Sequence, residues 1–524
     1  MLKQLREQLL AFLNDLEGRR MQLVSVLLVA FVLLGVAVAT IIPPFQVPDE
    51  SEHWLLASTR WTRLTGASGA CTTSTPIWSD FDKARARRIE PLPSGLVANV
   101  SKTKPTCIPR VRMYGSLLTY PGAVLSLMLF TNRNSSPVEL LRALYAGRIL
   151  QGLMLALVLW RFARMAGKTQ SPGALSLIAF LLGGLAMQEA FGVTADGIMF
   201  AFAVSLCGVM IAWDRLAVLD VFLFASLGGI ACTTKPFLTP TVIPVLFAGF
   251  TYGQLRAAPL GLFAGVRAFA GLALPRRRPV TVANAMVWVG LGLCVASVVA
   301  SYLDFGTLPT RFQAADQRTF LLHHPRVLLV DLPRSVLDEL HGLADLMGPL
   351  GWLDTVVSTQ TVAGWQHLLW LAVGLEFALV APRFSAHFAK RLPVPSNCEV
   401  GDNTARRPAL SGGVAFVGVC LSAVLCFYVT ILPLYLTWTR PGSHRLEGFQ
   451  ARYLIPNVMI CIGAFFGYLS TMCAPRPDDH ALPATGTGGR SVVSAAALAI
   501  GVAMALLSLS LLSHLYSDIA ARFH

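Results

Sequence analysis

The chain has 524 residues, of which 54% are hydrophobic and only 13% charged, with a net charge of +14. That profile excludes an ordinary soluble globular domain and marks a polytopic membrane protein. The basic excess is scattered among short loops between apolar runs, the pattern that sets membrane orientation, and argues against a nucleic-acid partner.

Residues 1–21 read as a cytoplasmic segment carrying Lys3, Arg6, Arg19 and Arg20. The run "MQLVSVLLVAFVLLGVAVATII" matches the ~20 residues a bilayer span needs, and no small-residue cleavage site of a signal peptide follows it. After it, apolar windows predict spans at 143–161, 174–191, 195–213, 217–233, 236–252, 283–303, 365–382, 411–437, 452–473 and 491–515. The stretch "YGSLLTYPGAVLSLMLF" at 114–130 is short and carries Pro121. Read as a re-entrant or juxtamembrane helix, it leaves three basic loops on the cytoplasmic side: "RFARMAGK", the loop with Arg256, Arg267 and "PRRRP", and the loop from Arg383 to Arg407. The expectation is therefore an all-α bundle of about 11 transmembrane helices (11–13), forming one domain over 22–524.

Two long loops, 43–142 and 304–364, then face outward. Each carries an amphipathic pattern expected of a helix on the membrane surface: Trp54, Leu55, Trp61 and Leu64 in the first, Leu337, Leu340, Leu343 and Leu346 in the second. Of ten cysteines, most lie in apolar runs, but Cys71 and Cys107 share the first polar loop, where an oxidising compartment would permit a disulfide that their spacing alone does not establish.

The densest titratable cluster, Asp49, Glu50, Glu52 and His53 in "PPFQVPDESEH", stands where the first span ends. Carboxylates partly shielded from water can serve as general bases; the plainer reading is the acidic first turn of a surface helix. In "QEAFGVTADGIMF" the sequence offers Asp196 as the carboxylate at the junction of two spans, expected on the same outer face, either a functional acid or a helix N-cap. Lys235 in "TTKPF" and Arg452 with Tyr453 in "GFQARYLIP" add positive charge on a face where orientation does not call for it. A lipid phosphate would match them; snorkelling is the alternative.

Together "PPFQVPDESEH", "TADG", "KPF", "GPLGWLDT" and "QARYLIP", in this order across residues 40–470, resemble the bacterial membrane-protein family described as domain-of-unknown-function family 2142. That family is in turn similar to the GT-C glycosyltransferases. The resemblance implies a multi-span enzyme of the bacterial cytoplasmic membrane that takes a sugar from a polyprenyl-phosphate donor at the outer face and passes it to a glycan or lipid acceptor of the cell envelope. It implies that Asp49 and Glu50 act in catalysis, or hold Mg²⁺ or Mn²⁺, with Asp196 assisting in either role. His53, Lys235, Trp352, Asp354, Arg452 and Tyr453 are the expected substrate contacts. Where many relatives carry a Pro-Pro-Tyr-like stretch this chain has Tyr114, Gly115 and Tyr120-Pro121. A transporter or flippase of lipid-linked sugars, a polysaccharide polymerase and a membrane scaffold are the competing readings.

Overall fold

A computed structural model of the chain describes residues 2–42, 47–58 in part, 119–131, 137–168, 172–212, 218–234, 314–339, 357–389, 424–447 in part, 449–472 and 490–523. The described residues are almost entirely helical and contain no strand. They form α1 (Leu2–Ile41), α2 (Pro121–Phe130), α3 (Pro137–Lys168), α4 (Ala174–Leu181), α5 (Gly184–Ala190), α6 (Asp196–Ala212) and α7 (Val218–Thr234). After these come α8 (Ala314–His323), a π turn (Val327–Asp331), α9 (Leu332–Glu339), α10 (Thr359–Ala389), a 3-10 turn (Ala451–Leu454), α11 (Ile455–Met472) and α12 (Arg490–Phe523).

Among the described residues four stretches are long and apolar enough to cross a membrane: Arg19–Ile41, Glu139–Gly167, Thr359–Leu379 and Ala499–Asp518. Shorter apolar helices occupy Pro121–Phe130, Asp196–Gly208 and Ala451–Gly463. The spans expected at 236–252 and 283–303 lie outside the described residues. Outward-facing Val29, Leu33, Leu157, Trp160, Trp370, Leu506 and Leu509 are exposed large apolar side chains, as a protein solvated by lipid requires and one solvated by water avoids.

At the centre, α1 packs against α3, α4 and α12, while α6 packs against α3, α7 and α11. Side-chain pairs fix the directions of these helices. Gly167 and Gly501 approach Met21 and Leu23, Gly173 meets Phe466, and Leu175 donates its backbone N–H to Glu376 at 2.9 Å. All of these belong to one end, where Arg20 also meets Glu376 at 3.4 Å with both side chains buried. The C-terminus of α1, the start of α3 and the turn between α5 and α6 gather at the opposite end.

The predicted single span 174–191 is broken. Gly183 is extended (φ −61°, ψ 139°) and separates α4 from α5. Two consecutive glycines, Gly183 and Gly184, each weaken a helix interior by about 1 kcal/mol, so the run "LLGGL" is where the helix yields. The break is buried and is filled from α10: the Trp365 indole N–H donates to the Ala179 carbonyl at 3.1 Å, beside the Leu182 N–H at 3.3 Å. A bilayer interior supplies no water for such a carbonyl, so the partner must come from the protein.

Helix α2 begins on Pro121, whose fixed φ and missing N–H suit the first helical position. Its ten residues rise only about 15 Å, half a hydrocarbon core. It lies on α3 through small residues. A Cβ on Gly122 would stand 2.5 Å from the Gln151 nitrogen and the Gly147 oxygen, so only glycine allows this approach.

The expected surface helix of the first loop appears as helical residues between 50 and 58. Its tryptophan does not lie on the bilayer: Trp54 is buried with Leu56, Ala57, Tyr120, Ala123, Leu144 and Val193. Leu55, Trp61 and Leu64 lie outside the described residues, as do Leu340, Leu343 and Leu346. In the second loop Leu332 and Val336 are buried against the protein, and Leu337 is 67% exposed.

Candidate functional site

The polar centre is built on the segment from Gln188 to Asp196. Phe191 anchors it: its ring fills the space that side chains on Gly35 of α1 and Gly152 of α3 would occupy. After Phe191 the chain runs as an irregular turn to Asp196, the first residue of α6. Thr194 stiffens this turn by donating its hydroxyl to the Glu189 carbonyl at 3.1 Å and accepting the Asp196 N–H at 3.3 Å.

Two buried ion pairs grip the segment. Arg148 of α3 makes a fork with Glu50, Nε to Oε1 at 2.7 Å and Nη2 to Oε2 at 2.5 Å, and both side chains are wholly buried. Its remaining terminal nitrogen donates to the carbonyls of Ala39 at 2.9 Å and Ile42 at 2.5 Å, groups that the end of α1 leaves without helical partners. Glu50 also accepts the Val193 N–H at 3.2 Å. Arg148 thus joins α1, the first loop, α3 and the 188–196 segment in one network. In the second pair, Arg452 Nη1 donates to Glu189 Oε1 at 2.8 Å, again with both side chains buried, and the Arg452 guanidinium lies 5.3 Å from the centre of the Tyr453 ring.

A further polar set adjoins them. The Tyr120 hydroxyl and His53 Nδ1 are 2.6 Å apart. Thr119 and Thr234 hydroxyls meet at 2.8 Å, which brings the end of α7 to the start of α2. Gln151 accepts the Gly122 N–H at 3.2 Å and packs against Gly197 at the start of α6.

Of the residues predicted from sequence, Glu50, His53, Asp196, Arg452 and Tyr453 are described. Glu50 and Arg452 each sit in a buried ion pair attached to the 188–196 segment, and Asp196 ends that segment with its side chain 7% exposed. His53 stands one helical turn beyond Glu50, on Tyr120. Asp49, Lys235, Trp352, Asp354, Cys71 and Cys107 lie outside the described residues. Among the described residues no three His, Cys, Asp or Glu side chains gather to hold a metal ion.

Sequence reasoning overlooked Arg148 and Glu189. Both were in plain view as charges inside apolar runs, where an ionisable group is costly unless partnered or functional. Glu189 stands seven residues before Asp196 in the very stretch in which Asp196 drew attention. Comparison of the chain with protein-family models, with curated proteins and with solved structures gave no match, so the resemblance to family 2142 and the GT-C enzymes rests on the motifs themselves.

Proposed function

We propose that the chain is a membrane glycosyltransferase of the bacterial cytoplasmic membrane, moving a sugar from a polyprenyl-phosphate donor to a cell-envelope glycan or lipid acceptor at the outer face. The observation that supports this reading is the convergence of Glu50, Arg148, Glu189, Arg452 and Asp196 on one short segment at one end of an apolar bundle. Burying two ion pairs there is expensive, and replacing them by apolar side chains would often be neutral or stabilising, so stability alone is a weak reason for keeping them.

Within the proposal the roles divide. Both Glu50 oxygens accept from Arg148, so Glu50 suits positioning better than proton transfer or metal ligation. Asp49, next in the chain, is assigned the base. It takes the proton of the acceptor hydroxyl while that oxygen attacks the anomeric carbon and the bond to the polyprenyl phosphate breaks on the opposite side, inverting the centre. Glu189 offsets the charge of Arg452, and Lys235 is therefore assigned to the departing phosphate.

The deciding experiment is transfer of radiolabelled sugar from polyprenyl phosphate to envelope acceptors by the purified protein. Asp49→Asn should cut transfer by roughly 10² to 10⁴ while the protein elutes and melts as the parent does. Retained transfer sinks the assignment. A flippase is the second reading, favoured by the buried break between α4 and α5, since interrupted helices are common in transporters. It predicts lipid-linked sugar crossing proteoliposomes, with Asp49→Asn indifferent.

A further inference from the structure

The segment 314–339 has an apolar surface on both sides. On one side Val327, Leu332 and Val336 pack against Ile431, Tyr435, Leu446 and Leu454. The polar fastenings lie on this protein side as well: Gln317 accepts the Gly442 N–H at 3.1 Å, Ser335 accepts the Leu446 N–H at 3.3 Å, and Asp331 meets His444 at 2.8 Å. This side is fully accounted for by the chain itself.

The other side is open. Leu322, Leu329, Val330 and Leu337 are 76%, 65%, 48% and 67% exposed, recurring at about every two helical turns. Between them stand Arg318, Arg326 and Arg334, also exposed. Arg326 and Arg334 reach Asp331 and Asp338 only at 4.0 and 3.9 Å, in pairs that water screens and that hold neither guanidinium in place. Large aliphatic side chains alternating with guanidinium groups suit neither bulk water nor hydrocarbon. They suit the layer between the two, where leucines sink toward acyl chains and each arginine reaches a phosphate with paired N–H donors.

We propose that this face of 314–339 is seated on the surface of a phospholipid bilayer, with Arg318, Arg326 and Arg334 on lipid phosphates and Leu322, Leu329, Val330 and Leu337 below them. The segment then ties the 431–454 region, and through it the Arg452 turn, to the membrane plane. The inference is independent of glycosyl transfer and holds for a transporter equally.

The test uses the full chain in phospholipid nanodiscs with photoreactive benzoylphenylalanine in place of Leu329 or of Leu337. On irradiation both variants should gain the mass of a phospholipid. Replacing Arg318, Arg326 and Arg334 together by Gln, in protein that elutes as the parent does, should lower that yield several-fold. An adduct of doubled protein mass, an adduct to the chain's own peptides, or no adduct at either position would overturn the proposal. An undiminished lipid yield in the triple Gln variant would remove the arginines from it.

Discussion

Replacing Arg148 by methionine isolates the network at the 188–196 segment. Arg148 and Glu50 are both wholly buried, so the variant strands a carboxylate where water does not reach it. Breaking a buried pair from one side costs about 3–5 kcal/mol. The carbonyls of Ala39 and Ile42 lose their donor as well, at about 1 kcal/mol each. The single variant should therefore lose about 5 kcal/mol, a large share of the 5–15 kcal/mol that holds an ordinary domain together. The double variant Arg148→Met with Glu50→Leu removes both charges and keeps apolar volume, so its loss should fall back to about 3 kcal/mol, that of the two carbonyls and the Val193 N–H. The assay is the midpoint of SDS-induced unfolding of the full chain in micelles, followed by circular dichroism, for parent, both single variants and the double variant. Glu50→Leu alone strands the guanidinium and the Val193 N–H and should lose about 4 kcal/mol, so the two single losses together exceed the double loss by a coupling of about 6 kcal/mol. If the double variant is as unstable as the two single losses added together, the pair is not coupled and the reasoning fails.

Three further outcomes follow from the geometry. Gly122→Ala places a methyl against the Gln151 nitrogen and Gly147 oxygen, so α2 must shift from α3 at about 1–3 kcal/mol, read as a lower midpoint of thermal unfolding. Trp365→Phe keeps the ring at the α4/α5 break but leaves the Ala179 carbonyl with the Leu182 N–H at 3.3 Å, for about 1 kcal/mol by the same measurement; no change would mean that the Leu182 N–H suffices for that carbonyl. Asp49→Asn should cut sugar transfer by roughly 10² to 10⁴ with the unfolding midpoint unmoved, and a midpoint that falls with activity would make Asp49 structural instead.

Much of the helical layout was legible because membrane helices are written as apolar length. The end of the run at 22–42, the junction at Asp196 and the starts of α7 and α12 agree with the sequence expectation to within a residue, whereas α11 begins three residues after the expected 452 and α1 begins at Leu2. The break at Gly183 was not legible, because hydropathy measures how greasy a window is and two glycines barely alter that. The site was legible only as an address. The acids after the first span and at the start of α6 announced themselves, but Arg148, the partner of Glu50, and Glu189, the partner of Arg452, are single charges diluted in apolar windows, and a window average erases them. Nor does the alternation of leucine and polar residues in 332–339 say which side of a helix faces protein: Leu337 followed the pattern and Val336 took the core.

The Glu50–Arg148 fork also has a consequence for synthesis. The two residues lie 98 positions apart, so at the ribosome's pace of 5–20 residues per second the arginine emerges roughly 5–20 s after the glutamate it neutralises. During that interval the first helix is inserted with a carboxylate at its rim that has no guanidinium to enter beside, and it must wait at the translocation machinery or at the headgroup layer until α3 arrives. Maturation is thereby gated: the newborn chain can close its interior only in the order in which the charges appear.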